Sequence, residues 1–312
     1  MNQRHGHGHG HGHDHASAAA GHRGRLTLVL GITLVVLVGE VVGGLLSGSL
    51  ALLADAGHLL TDVIGIGIAL AAVSLANRPA PASRSYGNFR VEILAALVNG
   101  VLLLVVCAAV AVEALRRLGD PGDVRPGPML VLGVAGLAAN GAAVFVLRAG
   151  QAESLNVRGA YLEVVGDLIG SVAVIFAGAV ILATGWHLAD VVASLLIAVL
   201  IVPRAVGLLR EAVHVLVEST PAGVDLDDLR AHLSSVPGVV EIHDLHVWTI
   251  TSGMPVLSAH VVVEPGAMAD ACGSTGVLDR LSACVGDHFD VAHSTFQLEP
   301  TGHEAHEHAA HD

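Results

Sequence analysis

The sequence contains no lysine, few aromatic residues and only three cysteines, and each shortage narrows what the chain can be. All 15 basic residues are arginine, against 28 acidic residues, and no basic patch exists that could hold nucleic acid. No GxxxxGK[ST] phosphate-binding loop occurs, which argues against an ATP-driven pump or any nucleotide partner. Cys272 and Cys284 are too far apart for a CxxC motif, and Cys107 lies in an apolar run, so we expect free thiols in a reducing compartment.

The chain has an unusually large share of apolar residues. Hydrophobic residues make up 53% and charged residues 14%, and the mean hydropathy of +0.67 is too high for an ordinary soluble protein. A helix that spans a bilayer needs about 20 mostly apolar residues. The sequence therefore predicts an α-helical membrane protein with six transmembrane helices, at about residues 26–46, 50–75, 91–115, 129–147, 160–183 and 188–209.

The distribution of arginine predicts the orientation of these helices. With six spans both termini lie on one side, and the loops of the opposite side offer only Arg116, Arg117 and Arg125. Cytoplasmic loops carry the excess of basic residues, so we expect a multi-pass protein of the cell membrane with both termini in the cytoplasm. The arginines on the terminal side are Arg4, Arg23, Arg25, Arg78, Arg84, Arg90, Arg148, Arg158 and Arg210.

Two of the apolar runs contain ionisable residues spaced four apart. His58 and Asp62 lie in the second run, and Glu163 and Asp167 lie in the fifth. A charged group near the centre of a bilayer costs roughly 2.5–3.5 kcal/mol, so such a group there indicates function. Residues four apart share one face of a helix, and two packed helices would direct all four side chains at one point. The pattern predicts a metal site, and the alternative is a polar network that only stabilises the helix bundle.

After about residue 211 the pattern changes to that of a small α+β domain. LDDLRAHLSSV predicts a helix, EIHDLHVWTIT and PVLSAHVVVE predict two strands of a hairpin, and a further helix precedes the strand STFQLE. The predicted order is αββαβ. The chain would thus consist of a His-rich disordered tail (1–24), a six-helix transmembrane domain (25–211), a cytoplasmic domain (212–300) and a second His-rich tail (301–312).

Both tails are rich in histidine. Imidazoles at this density are expected to bind Zn²⁺, Ni²⁺ or Cu²⁺ weakly, and the alternative is an expression tag. The N-terminal histidines are His5, His7, His9, His11, His13 and His15, and the C-terminal ones are His303, His306, His308 and His311.

Several long motifs carry a resemblance to a known family. GSLALLADAGHLLTD, SYGNFRVEILAALVNG, NVRGAYLEVVGDLIGSVAVI, WHLADVVASLLIAVLI and EIHDLHVWTITSGMPVLSAHV resemble the successive signatures of the cation diffusion facilitator family, in its zinc/cadmium/cobalt-exporting branch. The resemblance covers about residues 26–299. It implies a homodimeric proton/divalent-cation antiporter with six transmembrane helices and a cytoplasmic ferredoxin-like domain. The zinc branch usually has HxxxD in both the second and fifth helices, whereas this chain has Glu163 at the second histidine position.

The glutamate at position 163 affects which metal the site would prefer and which groups would carry protons. A site of one imidazole and three carboxylates favours harder ions than one with two imidazoles. We expect Zn²⁺ as the substrate, with Co²⁺, Cd²⁺, Fe²⁺ and Mn²⁺ as alternatives. Three neighbouring carboxylates cannot all be ionised in a low-dielectric cavity without a counter-charge, so we expect some to hold protons that an arriving dication expels. His58 and Glu163 are the expected proton carriers.

The resemblance also implies regulatory metal in the cytoplasmic domain. His243, His260 and Glu299 fall on positions that resemble ligands, with His246 and His293 as neighbours; the alternative is ordinary surface or core histidines. Other polar residues of the apolar runs, Glu40, Asp55, Asn99, Asn140 and Asp190, are expected to serve structure or gating. Asp55 is the best candidate among them for the ion pathway, because it lies about one turn before His58.

The sequence thus predicts a secondary transporter, and not an enzyme, that exports divalent transition metal from the cytoplasm by exchange for protons. Its expected partners are metal ions, protons, the lipid bilayer and a second copy of the chain. The alternative is a membrane-anchored metal sensor or buffer without transport. Ligands inside the membrane discriminate between the two, because an anchor needs none.

Overall fold

The computed structural model describes residues 12–76, 84–148, 155–269, 271–289, 291 and 293–303. Two compact units divide the chain: one comprises Met1–Leu70 with Val98–Gly207, and the other Ala71–Leu97 with Leu208–Asp312. The long helices are α1 (Gly12–Ser47), α2 (Leu50–Ala76), α3 (Arg90–Arg117), α4 (Pro126–Leu147), α5 (Leu155–Thr184) and α6 (Leu188–Leu216).

Five of these helices are long and apolar enough to cross a membrane, judged over the described part of the chain. They are Thr27–Ser47 within α1, Arg90–Arg117, Pro126–Leu147, Tyr161–Thr184 within α5, and Leu188–Leu216. They match the first, third, fourth, fifth and sixth predicted spans. The second predicted run folds as the 27-residue helix α2, which carries His58 and Asp62.

Helix α1 begins earlier than the sequence led us to expect. We predicted a disordered tail through residue 24, but the chain is helical from Gly12. The run Ala18–Ala19–Ala20 explains the difference, because alanine has the highest helix propensity. His13 and His15 therefore lie within α1, whereas His5, His7, His9, His11, His306, His308 and His311 lie outside the described residues.

In the first unit (Met1–Leu70 with Val98–Gly207), called the membrane unit below, small residues let helices approach closely. A Cβ at Gly133 of α4 would lie 2.9 Å from Ile175 Cγ1 of α5, and one at Gly178 would lie 3.0 Å from Leu130 Cγ. Glycine at such positions brings backbones together in a membrane, where dispersion and not the hydrophobic effect favours packing.

Asp190 of α6 holds the start of α2. Its carboxylate accepts hydrogen bonds from Ser49 Oγ at 2.6 Å, from the Leu50 backbone N–H at 2.6 Å and from the Ala51 N–H at 3.2 Å. The first N–H groups of a helix have no partner within the helix, and an anion at this end also complements the helix dipole. Asp190 therefore has a structural role, which fixes the helix that carries His58.

The second unit contains the predicted α+β elements. They are α7 (Leu226–Ser234), β1 (Val239–Thr249), β2 (Pro255–Val263), α8 (Pro265–Ala269), α9 (Ala271–Phe289) and β3 (His293–Pro300). The sheet has the order β1-β2-β3, with β1 and β2 antiparallel and β2 and β3 parallel. This is the αββαβ order with the short helix α8 added. Its core includes the fully buried side chains Leu229, Leu233, Leu257 and Leu281.

Candidate metal sites

Three of the four predicted transport ligands meet between α2 and α5. His58 Nε2 lies 3.5 Å from Asp62 Oδ2 and 3.3 Å from Asp167 Oδ1. The three side chains are almost completely buried, at 5%, 8% and 4% exposure. One ligand atom from each lies within 4.8 Å of the others, a spacing that could hold a metal ion.

Helix geometry explains this convergence. His58 and Asp62 are one turn apart on α2 and share a face, and Asp167 projects from α5. Gly170, one turn after it, permits the close approach of the two helices: a Cβ there would lie 2.8 Å from Asp55 Oδ1. The expected i, i+4 pair on α2 thus supplies two of the three residues of the site.

The fourth predicted ligand, Glu163, points away from this cluster and toward Arg204. It lies at the rim, 28% exposed, in an ion pair with the guanidinium of Arg204 from α6. The same guanidinium lies 3.2 Å from His58 Nε2 and 3.8 Å from Asp62 Oδ1. Arg204 was missed by sequence reasoning, although an arginine inside the sixth apolar run was a signal that could have found it.

The buried oxygens of this cluster are left unsatisfied. Within the described part of the chain, Asp62 Oδ2, Asp167 Oδ1 and His58 Nδ1 make no hydrogen bond of good geometry, although both oxygens lie within 3.5 Å of His58 Nε2. Buried polar atoms are nearly always satisfied in folded proteins, so unmet carboxylate oxygens that face one another suit a cation. A cavity of about 280 Å³ adjoins the cluster at His58, and Asp55, Glu163 and Arg204 are also among its lining residues.

A second pair of buried carboxyl groups lies nearby. Glu40 of α1 and Asp55 of α2 are hydrogen-bonded to each other, and each is only 2% exposed. A Cβ at Gly136 of α4 would lie 3.2 Å from Glu40 Oε1, and one at Gly170 of α5 would lie 2.8 Å from Asp55 Oδ1, so two further helices pack against the pair. Asp55 also lines the cavity beside His58, and its place on the ion pathway stays a prediction. Asn99 and Asn140 are buried as well.

The cytoplasmic domain brings its predicted ligands together across the sheet. His243 of β1 is opposite His260 of β2, and their ring centroids are 5.1 Å apart. Glu299 of β3, at 1% exposure, has Oε1 2.8 Å from His260 Nδ1 and Oε2 3.3 Å from His243 Nε2. Its Oε1 also accepts a hydrogen bond from Gln297 Nε2 at 2.7 Å. The three residues form one cluster of imidazole and carboxylate groups.

Asp244 joins this cluster, and the sequence did not predict it. Ligand atoms of His243, Asp244 and His260 lie within 4.8 Å of one another. Asp244 has φ +47° where the β1–β2 register shifts between His243 and His246, and such a bulge re-aims side chains. His246 lies at the edge of this cluster, with Nε2 3.9 Å from Asp244 Oδ1. His293 is exposed, and its ring packs edge-to-face against the ring of Tyr86.

Both parts of the chain match families of known proteins. The family model of the cation efflux transmembrane domain matches residues 26–217, and that of the cation efflux protein, cytoplasmic domain, matches residues 221–301. The cation efflux system protein CzcD of Alcaligenes sp. is 41% identical over 279 residues, which cover 89% of this chain and 87% of that protein.

Two further relatives show the same similarity, and one solved structure matches part of the chain. The zinc transporter ZitB of Escherichia coli is 40% identical, with 88% of this chain and 87% of ZitB covered. The cadmium, cobalt and zinc/H(+)-K(+) antiporter of Bacillus subtilis is 36% identical, with 88% and 89% covered. The metal-bound C-terminal domain of the CzcD transporter from Cuprividus metallidurans is 38% identical and covers 24% of this chain and 99% of that chain, with a TM-score of 0.22.

These relatives are metal-cation efflux transporters and not enzymes, and the matched transmembrane region alone is more than half of the chain. The protein therefore belongs to the cation efflux, or cation diffusion facilitator, family, in its zinc/cadmium/cobalt branch.

Proposed function

We propose that this protein exports divalent transition metal from the cytoplasm in exchange for protons, by alternating access, with Zn²⁺ as the principal substrate. The observation that carries the proposal is the buried cluster of His58, Asp62 and Asp167 inside two long apolar helices. Ionisable groups in such a place are costly and mark ion pathways. Their nitrogen and oxygen donors, with an adjoining cavity, suit a transition-metal dication.

The cluster also argues against the alternative of a membrane-anchored sensor or buffer. Such a protein could bind metal with its tails and its cytoplasmic domain alone. It would need no unsatisfied carboxylate oxygens between α2 and α5, where they oppose folding unless a cation binds. The relatives that are named as zinc, cadmium and cobalt transporters support transport and the preference for Zn²⁺.

The architecture that we propose around the site has six transmembrane helices, with α2 as the sixth span beside the five apolar helices. Both termini then lie on the cytoplasmic side of the cell membrane, as the arginine distribution predicts. The αββαβ order of the second unit supports a ferredoxin-like domain, and the match to the cytoplasmic-domain family supports a homodimer.

In the cytoplasmic domain we propose a regulatory metal site formed by His243, His260 and Glu299, with Asp244 as a further donor. His246 lies at its margin and would shape access more than bind, whereas His293 lies at the other end of β3, six residues before Glu299. Metal bound here would couple cytoplasmic metal concentration to transport if it favoured one arrangement of the dimer.

Flux measurements in proteoliposomes with an imposed pH gradient test the proposal. Asp62→Asn and Asp167→Asn should each abolish zinc transport, because each removes a charged donor from the buried cluster without changing its size. The exposed loop variant Asp120→Asn is the matched control and should transport normally. Near-normal zinc flux in either buried variant would contradict the site. Wild-type protein that binds zinc but shows no flux would favour the sensor or buffer.

A further inference from the structure

Arg204 is a charged residue within the candidate transport site that the proposed function does not yet use. Its guanidinium pairs with Glu163 and reaches the buried cluster, at 3.2 Å from His58 Nε2 and 3.8 Å from Asp62 Oδ1. His58 Nε2 is also the atom that faces both Asp62 and Asp167. The guanidinium therefore lies beside the ring nitrogen that a metal ion would bind.

We propose that Arg204 is the tethered counter-cation of the metal site, and that Glu163 is its anchor and not a metal ligand. This inference rests on the proposed function, because it assigns the charge balance of the same site. His58, Asp62 and Asp167 hold the dication. Arg204 contacts this cluster while the site is empty, and its ion pair with Glu163 holds it beside the site when the dication arrives.

The grouping of ligand atoms supports this division of roles. The described residues that could hold a metal here are His58, Asp62 and Asp167, and Glu163 is not among them. Glu163 is also far more exposed than the three, at 28% for its side chain. A planar guanidinium pairs with a carboxylate more specifically than an ammonium does, and it keeps its charge at every physiological pH.

Charge balance supplies the physical reason. Asp62, Asp167 and Glu163 contribute three negative charges when ionised, while the dication and Arg204 contribute three positive charges. Counted over these groups, the loaded site is neutral, as a site that must change its exposure within a low-dielectric membrane requires. Without Arg204 the loaded site would carry one net negative charge, and without Glu163 it would carry one net positive charge.

Single substitutions at the two positions should therefore shift the KM for zinc in opposite directions. Glu163→Gln leaves Arg204 unpaired near the dication and should raise the KM roughly tenfold or more. Arg204→Gln leaves Glu163 unpaired and free to bind metal, so the KM should fall by a similar factor while the maximal rate also falls, because release slows. Arg204→Lys loses the forked pairing with Glu163 but keeps the charge on which the balance depends, so it should stay within about threefold of the wild-type KM.

The double variant Glu163→Gln/Arg204→Gln is the decisive measurement. The inference predicts that it recovers a KM within about threefold of wild type, since it removes one charge of each sign. A fourth-ligand role for Glu163 predicts that the double variant is as impaired as Glu163→Gln. If Arg204→Gln does not accumulate, the comparison of Glu163→Gln with the double variant still decides. A purely structural pair would lower protein levels and rate in both single variants without opposite changes in KM.

Two controls separate the possible failures. Arg210→Gln removes an exposed charge from the same helix and should leave the KM unchanged. If Asp62→Asn retains wild-type flux, the proposed function itself fails. If Asp62→Asn abolishes flux and the double variant keeps the KM of Glu163→Gln, only the role of Arg204 is overturned.

Discussion

Gly170→Ala should damage transport through the close approach of α5 to α2, although it changes no ionisable group. An added Cβ would lie 2.8 Å from Asp55 Oδ1 and 3.3 Å from Asp55 Cγ. Both distances are shorter than nearly all Cβ contacts in proteins, so either Asp55 or the helix must shift by several tenths of an ångström. Asp55 is 2% exposed and hydrogen-bonded to Glu40, which leaves it little freedom.

The expected change in the free energy of unfolding follows from two opposing effects. Overpacking a well-packed core costs about 1–3 kcal/mol, whereas alanine in place of glycine inside a helix gains about 1 kcal/mol. Gly141→Ala on α4 is the matched control, because a Cβ there meets nothing within 4 Å. Gly170→Ala should therefore be less stable than Gly141→Ala by about 1–3 kcal/mol, the overpacking cost alone.

Thermal unfolding of the purified protein and zinc flux in proteoliposomes measure the two effects. Because a difference of 1 kcal/mol shifts Tm by about 2–4 °C for a chain of 150–250 residues, we expect the two variants to differ by several degrees. Zinc flux should fall several-fold in Gly170→Ala and stay normal in Gly141→Ala. Equal stability and equal flux in the two variants would refute the tight contact between Gly170 and Asp55, and with it the place of Asp55 on the pathway.

Three further predictions concern metal preference, the N-terminal tail and the cytoplasmic site. Glu163→His with Arg204→Gln should raise the ratio of zinc to manganese transport, because the introduced imidazole, with the guanidinium removed, adds a ligand that suits zinc; an unchanged ratio would contradict this. Deletion of residues 2–11 should slow transport at scarce zinc only, because a His tract raises the local metal concentration; complete loss at saturating zinc would show a direct role. Zinc at 100 times its Kd should stabilise the wild-type cytoplasmic domain by about 2.7 kcal/mol in thermal unfolding, and Glu299→Gln should lose most of this shift.

Much of the membrane unit followed from local sequence. The five apolar spans, the helix α2 and the shared face of His58 and Asp62 all depend on hydrophobic run length and on the 3.6-residue period, which short segments carry by themselves. The αββαβ order was readable for the same reason, since alternation and turn residues are local signals. The helical start at Gly12 does not follow from the His-Gly alternation, because glycine opposes a helix and the alanines that favour one come only after it.

The partners of each side chain were decided by tertiary structure. The spacing of Glu163 and Asp167 predicted two ligands, yet α5 directs Asp167 into the cluster and Glu163 toward Arg204 of α6, which lies 41 positions later in the chain. Asp190 caps α2 across a separation of about 140 residues, and Asp244 reaches the histidines only through a bulge in β1. Sequence alone determined which elements form and which residues are costly to bury. Which of those residues meet depends on helix rotation and approach, which arise only when all the helices pack together.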